Sequence, residues 1–116
     1  MGFLTTHVLD TAHGCPAANV QIDLYRIDNG HHHLRSAKTN EDGRCREALL
    51  PENEFRAGEY ELIFHVGDYF AAIGETLPNP KFLDQIVLRF GIADEGQHYH
   101  VPLLVSPFGY STYRGS

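Results

Sequence analysis

Val20-Gln-Ile-Asp-Leu-Tyr25, followed by Asp28-Asn29-Gly30, decides the fold class of this 116-residue chain. Val20, Ile22 and Leu24 alternate with Gln21, Asp23 and Tyr25. Successive side chains of an extended strand point to opposite faces, so the run predicts a half-buried strand. Asn29-Gly30 is a strong hairpin signal, because both positions accept positive φ. A return strand is expected through Leu34 to Thr39, ending at a second turn, Asn40-Glu-Asp-Gly43. The same period of two recurs at Tyr60, Leu62, Phe64 and Val66, and again at Ile86, Leu88, Phe90 and Ile92. A shorter strand is expected from Cys45 to Leu50, closed by Pro51, and two final strands over 98–105 and 109–115. One helix is expected, with Asp68 as its cap, about two turns over 69–73, and Gly74 as its end. Pro102 has no N–H to give to a ladder, so its strand is expected at a sheet edge or with a bulge.

Seven or eight short strands with frequent turns predict an all-β sandwich or barrel. No linker, repeat or low-complexity tract divides the chain, which reads as one domain over 1–116. The net charge of −6 argues against nucleic acid or an anionic membrane surface as the main partner. No apolar run approaches the roughly 20 residues of a membrane span. Met1-Gly-Phe-Leu-Thr-Thr6 lacks the basic and apolar regions of a secretory signal, so a cytoplasmic protein is expected. A trimmed export signal would leave the same chain in the periplasm. Gly2 with Thr6 fits a myristoylation pattern formally, but these residues read better as the start of a strand. Cys15 and Cys45 have neither metal nor redox spacing and read as free thiols.

The candidate chemistry lies in histidine, arginine and the chain end. His7 shares a strand face with Thr5 and Leu9, and His98 and His100 share another. A neutral imidazole is suited to proton transfer near neutral pH. A metal would need a third ligand that no spacing supplies, so metal binding by a histidine-rich module is the weaker reading. His31-His32-His33 follows a turn, and alternation turns neighbours to opposite faces, so the three do not converge on one ion. Arg44 follows Asp42-Gly43, and a planar guanidinium there suits a flat, oxygen-rich ligand; Arg46 competes for that role. The last residues, Tyr113-Arg114-Gly115-Ser116, are dense in hydroxyl and cationic groups where a frayed polar end is the norm.

Three motifs, in order, carry a resemblance along the whole chain. They are His7-Val-Leu-Asp10 with Gly14 and Pro16-Ala17, then Thr39-Asn40 with Asp42-Gly43-Arg44, then His98-Tyr-His100-Val-Pro-Leu-Leu continuing through Ser106-Pro107 to Tyr110-Ser-Thr-Tyr-Arg-Gly-Ser116. Together they resemble the 5-hydroxyisourate hydrolase branch of the transthyretin-like family. The resemblance implies a sandwich of two four-stranded antiparallel sheets with one short helix. It implies hydrolytic opening of 5-hydroxyisourate to 2-oxo-4-hydroxy-4-carboxy-5-ureidoimidazoline, without metal or other cofactor. It also implies a homotetramer, a dimer of dimers with active sites at the dimer–dimer interface. By position, His7, Arg44 and His100 carry over as catalytic residues, and Tyr113 and Ser116 as substrate-binding residues. Which histidine is the base stays open. Within the same fold, a carrier of small planar aromatic ligands is the competing reading, but the hormone-carrying transthyretins lack the histidines, the arginine and the Tyr-Arg-Gly-Ser ending.

Overall fold

The hairpin predicted at Asn29-Gly30 forms one side of one sheet. In the computed structural model, which describes residues 2–115, β3 (Gln21–Ile27) turns at Asn29, φ 47°, and returns as β4 (His31–Lys38). The other strands are β1 (Leu4–Asp10), β2 (Cys15–Pro16), β5 (Gly58–His65), β6 (Gln85–Ile92), β7 (Tyr99–Ser106) and β8 (Gly109–Thr112). They form two four-stranded sheets, ordered β2-β1-β7-β8 and β4-β3-β5-β6. This is the expected sandwich, and all pairs are antiparallel except β1–β7, which run parallel.

The core follows from alternation. Leu4 and Val8 of β1, Ile22 and Leu24 of β3, Leu62 and Phe64 of β5, and Leu103 and Val105 of β7 are fully buried between the sheets. Their alternate neighbours, including Thr5, His7, Leu9 and His100, lie half-buried on the outer face. Inward burial of a large aliphatic side chain contributes about 1.5–3 kcal/mol, which fixes the register and therefore which residues face outward.

Three local expectations are corrected. Residues 45–50 form no strand: Leu49 and Leu50 are both buried, which breaks the period of two, and only bridges at Cys45 and Leu50 remain. The helix, α1 (Val66–Ala72), begins before Asp68, which sits in its first turn and complements the helix dipole instead of capping it. Pro102 lies in an interior strand with no edge. The fold tolerates it because β8 ends at Thr112 and the ladder resumes in the same register at His100↔Gly115. The missing N–H falls in that gap, opposite Tyr113, while the Thr112 hydroxyl donates to the Pro102 carbonyl at 2.7 Å. The short helix is tied to β1 by Tyr69, whose hydroxyl donates to the buried Asp10 carboxylate at 2.7 Å. Burial alone would raise the Asp10 pKa, but bonds from Tyr69 and His13 outweigh it and hold the carboxyl below its ordinary value.

Candidate active site

The parallel β1–β7 pairing builds the site. Its register sets Thr5 beside His100 and His7 beside Pro102, so both histidines project from the outer face of one sheet. Their ring centroids are 6.5 Å apart although 93 residues separate them in the chain. On the other edge of β1, an antiparallel bridge joins His7 to Arg44. On the far side of β7, His100 bridges to Gly115, with the Gly115 N–H donating to the His100 carbonyl at 2.7 Å. Arg44 and His7 therefore lie in one cross-strand row, and His100 and Gly115 in the next row, beside Thr5.

The Arg44 turn is organised by Asn40. Its Oδ1 accepts from the Asp42 N–H at 2.9 Å and the Arg44 N–H at 3.2 Å. Gly43 has φ 75°, a region open to glycine, and any Cβ there would overlap the Val8 carbonyl oxygen. The turn thus lies directly against β1, and the Val8 N–H donates to the Gly43 carbonyl at 2.8 Å. It also delivers the Asp42 carbonyl to His7, whose Nε2 lies 2.8 Å away. A carbonyl only accepts, so Nε2 of His7 carries a proton and Nδ1 is its free nitrogen in the neutral ring. His100 is held at Nδ1 instead, 2.8 Å from Thr5 Oγ1.

The surroundings of His100 disfavour its charged form. Partial burial, then the Arg44 charge, then His7 hold His100 below the ordinary histidine value of 6.5. It is therefore neutral and available as a proton acceptor at neutral pH. The arginine acting on His100 is Arg44; Arg46 is not among the causes of this shift. No salt bridge engages Arg44 among the described residues.

Of the residues expected from sequence, His7, Arg44 and His100 converge. Tyr113 is 60% exposed and lines a 410 Å³ cavity with Val87, Phe90, Tyr99 and Arg114 along the seam between β6 and β8. That cavity is mainly an apolar gap between strand edges. The convergent proton-transfer and cationic groups instead make the outer face of β1 and β7 the candidate site. Ser116 lies outside the described residues. Arg114 anchors the tail by stacking over Tyr99 at 3.9 Å and donating to the His98 carbonyl at 2.9 Å.

The remaining histidines are engaged elsewhere. His13 lies between Asp10 and Glu75, His31 meets Glu61, and His65 meets Asp23. His32 and His33 bond the Asp28 carbonyl and the Ser36 hydroxyl, and the His98 ring packs tilted against Phe3, with centroids 3.9 Å apart. Among the described residues, no group of three or more His, Cys, Asp and Glu side chains is placed to hold a metal ion. Sequence reasoning missed Thr5 and Asn40. Thr5 was legible only as a face-mate of His7, since its contact with His100 depends on the parallel pairing. Asn40 was visible as part of a turn but not as the shared acceptor within it.

Comparison with known proteins agrees with this fold. The model of the HIUase/Transthyretin family matches residues 4–115. A protein of Mesorhizobium japonicum named 5-hydroxyisourate hydrolase is 62% identical over 116 residues, covering 99% of this chain and 93% of its own. The solved 5-hydroxyisourate hydrolase of Klebsiella pneumoniae superposes with a TM-score of 0.82 at 34% identity, covering 100% of both chains. Transthyretin from Sparus aurata gives a TM-score of 0.86 at 29% identity, covering 97% of this chain and 95% of its own. A solved (S)-allantoin synthase gives a TM-score of 0.93 at 49% identity; the match covers 99% of this chain but 44% of that longer one. A family match over nearly the whole chain, with relatives this similar, settles its membership: the chain belongs to the HIUase/Transthyretin family.

Proposed function

We propose that this chain is a hydrolase opening the cyclic amide of 5-hydroxyisourate to give 2-oxo-4-hydroxy-4-carboxy-5-ureidoimidazoline. The observation that carries the reading is the convergence of His7, Arg44 and a neutral His100 on one sheet face. His100 acts as general base through Nε2, since its Nδ1 is occupied by Thr5. It removes a proton from water as the oxygen attacks the amide carbonyl carbon. Arg44 holds the developing oxyanion, and the imidazolium returns the proton to the departing ring nitrogen. His7 orients the water from the neighbouring strand, its own ring fixed by the Asp42 carbonyl. The chemistry is complete without metal or organic cofactor.

The site lies on an outer sheet face that one copy leaves half open. A homotetramer, as a dimer of dimers, would close it and exclude bulk water, with Tyr113 and Ser116 positioning substrate at that interface. Exclusion of water strengthens the Arg44 interaction with charge in the transition state.

Freshly generated 5-hydroxyisourate mixed with catalytic amounts of protein tests the assignment through its absorbance decay. Turnover in excess of protein is expected. A stoichiometric spectral shift without faster decay would mark a carrier of planar ligands and overturn the hydrolase reading. The acid limb of kcat/KM is expected below pH 6.5, because the folded protein disfavours the charged form of His100. Replacing Arg44 with glutamine removes one cause of that shift, so the limb should move up toward 6.5. An unmoved limb would detach Arg44 from the titrating base.

A further inference from the structure

We propose that Thr5 is a positioning residue for the general base: its hydroxyl oxygen accepts from Nδ1–H of His100, which fixes Nε2 as the nitrogen that takes the proton from water. The inference rests on the hydrolase reading and assigns a role to a residue outside the His7, Arg44 and His100 set.

The two threonines ahead of His7 divide inward and outward. Thr6 is buried, and its hydroxyl donates to the Val101 carbonyl at 2.7 Å, an internal bond between β1 and β7. Thr5 points to the opposite face, beside His100 in the parallel register, with its Oγ1 2.8 Å from Nδ1. From the tail side, Gly115 packs against the same ring. A Cβ at Gly115 would come within 3.0 Å of His100 Cδ2, so even one added methyl would press on the imidazole. The ring is held between Thr5 and the Gly115 backbone.

The partners of the two histidines differ in kind. Asp42 offers His7 a carbonyl, which admits only an N–H on that nitrogen. Thr5 offers His100 a hydroxyl, which either donates or accepts, so the contact alone admits both tautomers. The reaction selects between them. A base at Nε2 needs an unprotonated Nε2, and the neutral ring then carries its proton on Nδ1. Thr5 must in that state be the acceptor. It remains the acceptor once Nε2 has gained the proton from water, so no ring flip intervenes before the proton passes to the leaving nitrogen. The bond also strengthens as the ring becomes positive, which offsets part of the repulsion from Arg44.

Thr5→Val keeps the branched shape and the strand preference while deleting the hydroxyl, and Thr5→Ser restores it. In protein labelled with 15N-histidine, the wild-type His100 ring is expected to show Nδ1 protonated and Nε2 bare at neutral pH. In Thr5→Val the ring should move toward the Nε2–H tautomer. Its kcat should fall about tenfold or more, part of the roughly 10²–10⁴ that a positioned base supplies, with KM little changed. Thr5→Ser should recover both the resonances and kcat. A wild-type kcat in Thr5→Val, or an Nε2–H ring in the wild type, would overturn the proposal. If the unaltered protein fails to consume 5-hydroxyisourate, the hydrolase reading falls, and the ring resonances still decide whether Thr5 accepts from Nδ1.

Discussion

His100→Ala is expected to lower kcat/KM for 5-hydroxyisourate by roughly 10²-fold or more, the scale of a lost general base, while the sandwich persists. In the proposed mechanism the imidazole acts on water and not on the resting substrate, so the loss should appear mainly in kcat. The side chain is half-buried on an outer face, and its strand is anchored from the inner face by Val101, Leu103 and Val105. Alanine therefore removes a base without opening the core. His7→Ala should cost roughly as much by the same general-base arithmetic, through lost orientation of the water. A turnover rate near that of the wild type in either variant would take that histidine out of the mechanism.

Arg44→Lys is expected to lose roughly 10²-fold in kcat, the scale of one oxyanion donor removed. The substitution keeps the positive charge but replaces a planar fork with a single point of contact, and the two are not equivalent on a flat group rich in oxygen. Charge and geometry separate in one comparison. With lysine the acid limb should stay where Arg44 puts it, whereas with glutamine it should rise, since one of the three causes depressing His100 is the Arg44 charge. Normal kinetics in Arg44→Lys would move the ligand-holding role to Arg46.

The elements were legible wherever a local pattern wrote them. Alternation at Val20 to Tyr25 and at Tyr60 to Phe64, with Asn29-Gly30 between strands, became β3, β5 and the β3–β4 turn. The segment from Cys45 to Leu50 carried the composition of a strand, but adjacent buried leucines cannot share one face of a pleated ribbon. Leu50 instead touches β1 at a single bridge to Leu4, and Arg44, just before the segment, makes a second bridge that sets it beside His7. Pro102 was misplaced for a related reason. Local chemistry excluded it from a paired position, but not from an interior strand whose partner lapses opposite it.

The site was legible as a set of residues and illegible as a geometry. Motif resemblance selected His7, Arg44 and His100, and left the two imidazoles equivalent. Their difference arises from contacts that no local pattern encodes: a carbonyl at His7 from the turn built on Asn40, and a hydroxyl at His100 from a parallel strand 95 residues away in sequence. The depressed pKa of His100 likewise comes from tertiary structure, first from partial burial and then from Arg44 brought to the far edge of β1.

The central claim is that these residues act as one hydrolytic centre. The most direct measurement is kcat/KM for His7→Ala, His100→Ala and the double variant under identical conditions. Residues that work as a unit lose little more together than singly, so the double variant should fall close to the worse single one. Losses that multiply, to roughly 10⁴-fold if each single loss is about 10²-fold, would mean independent contributions and would contradict the account.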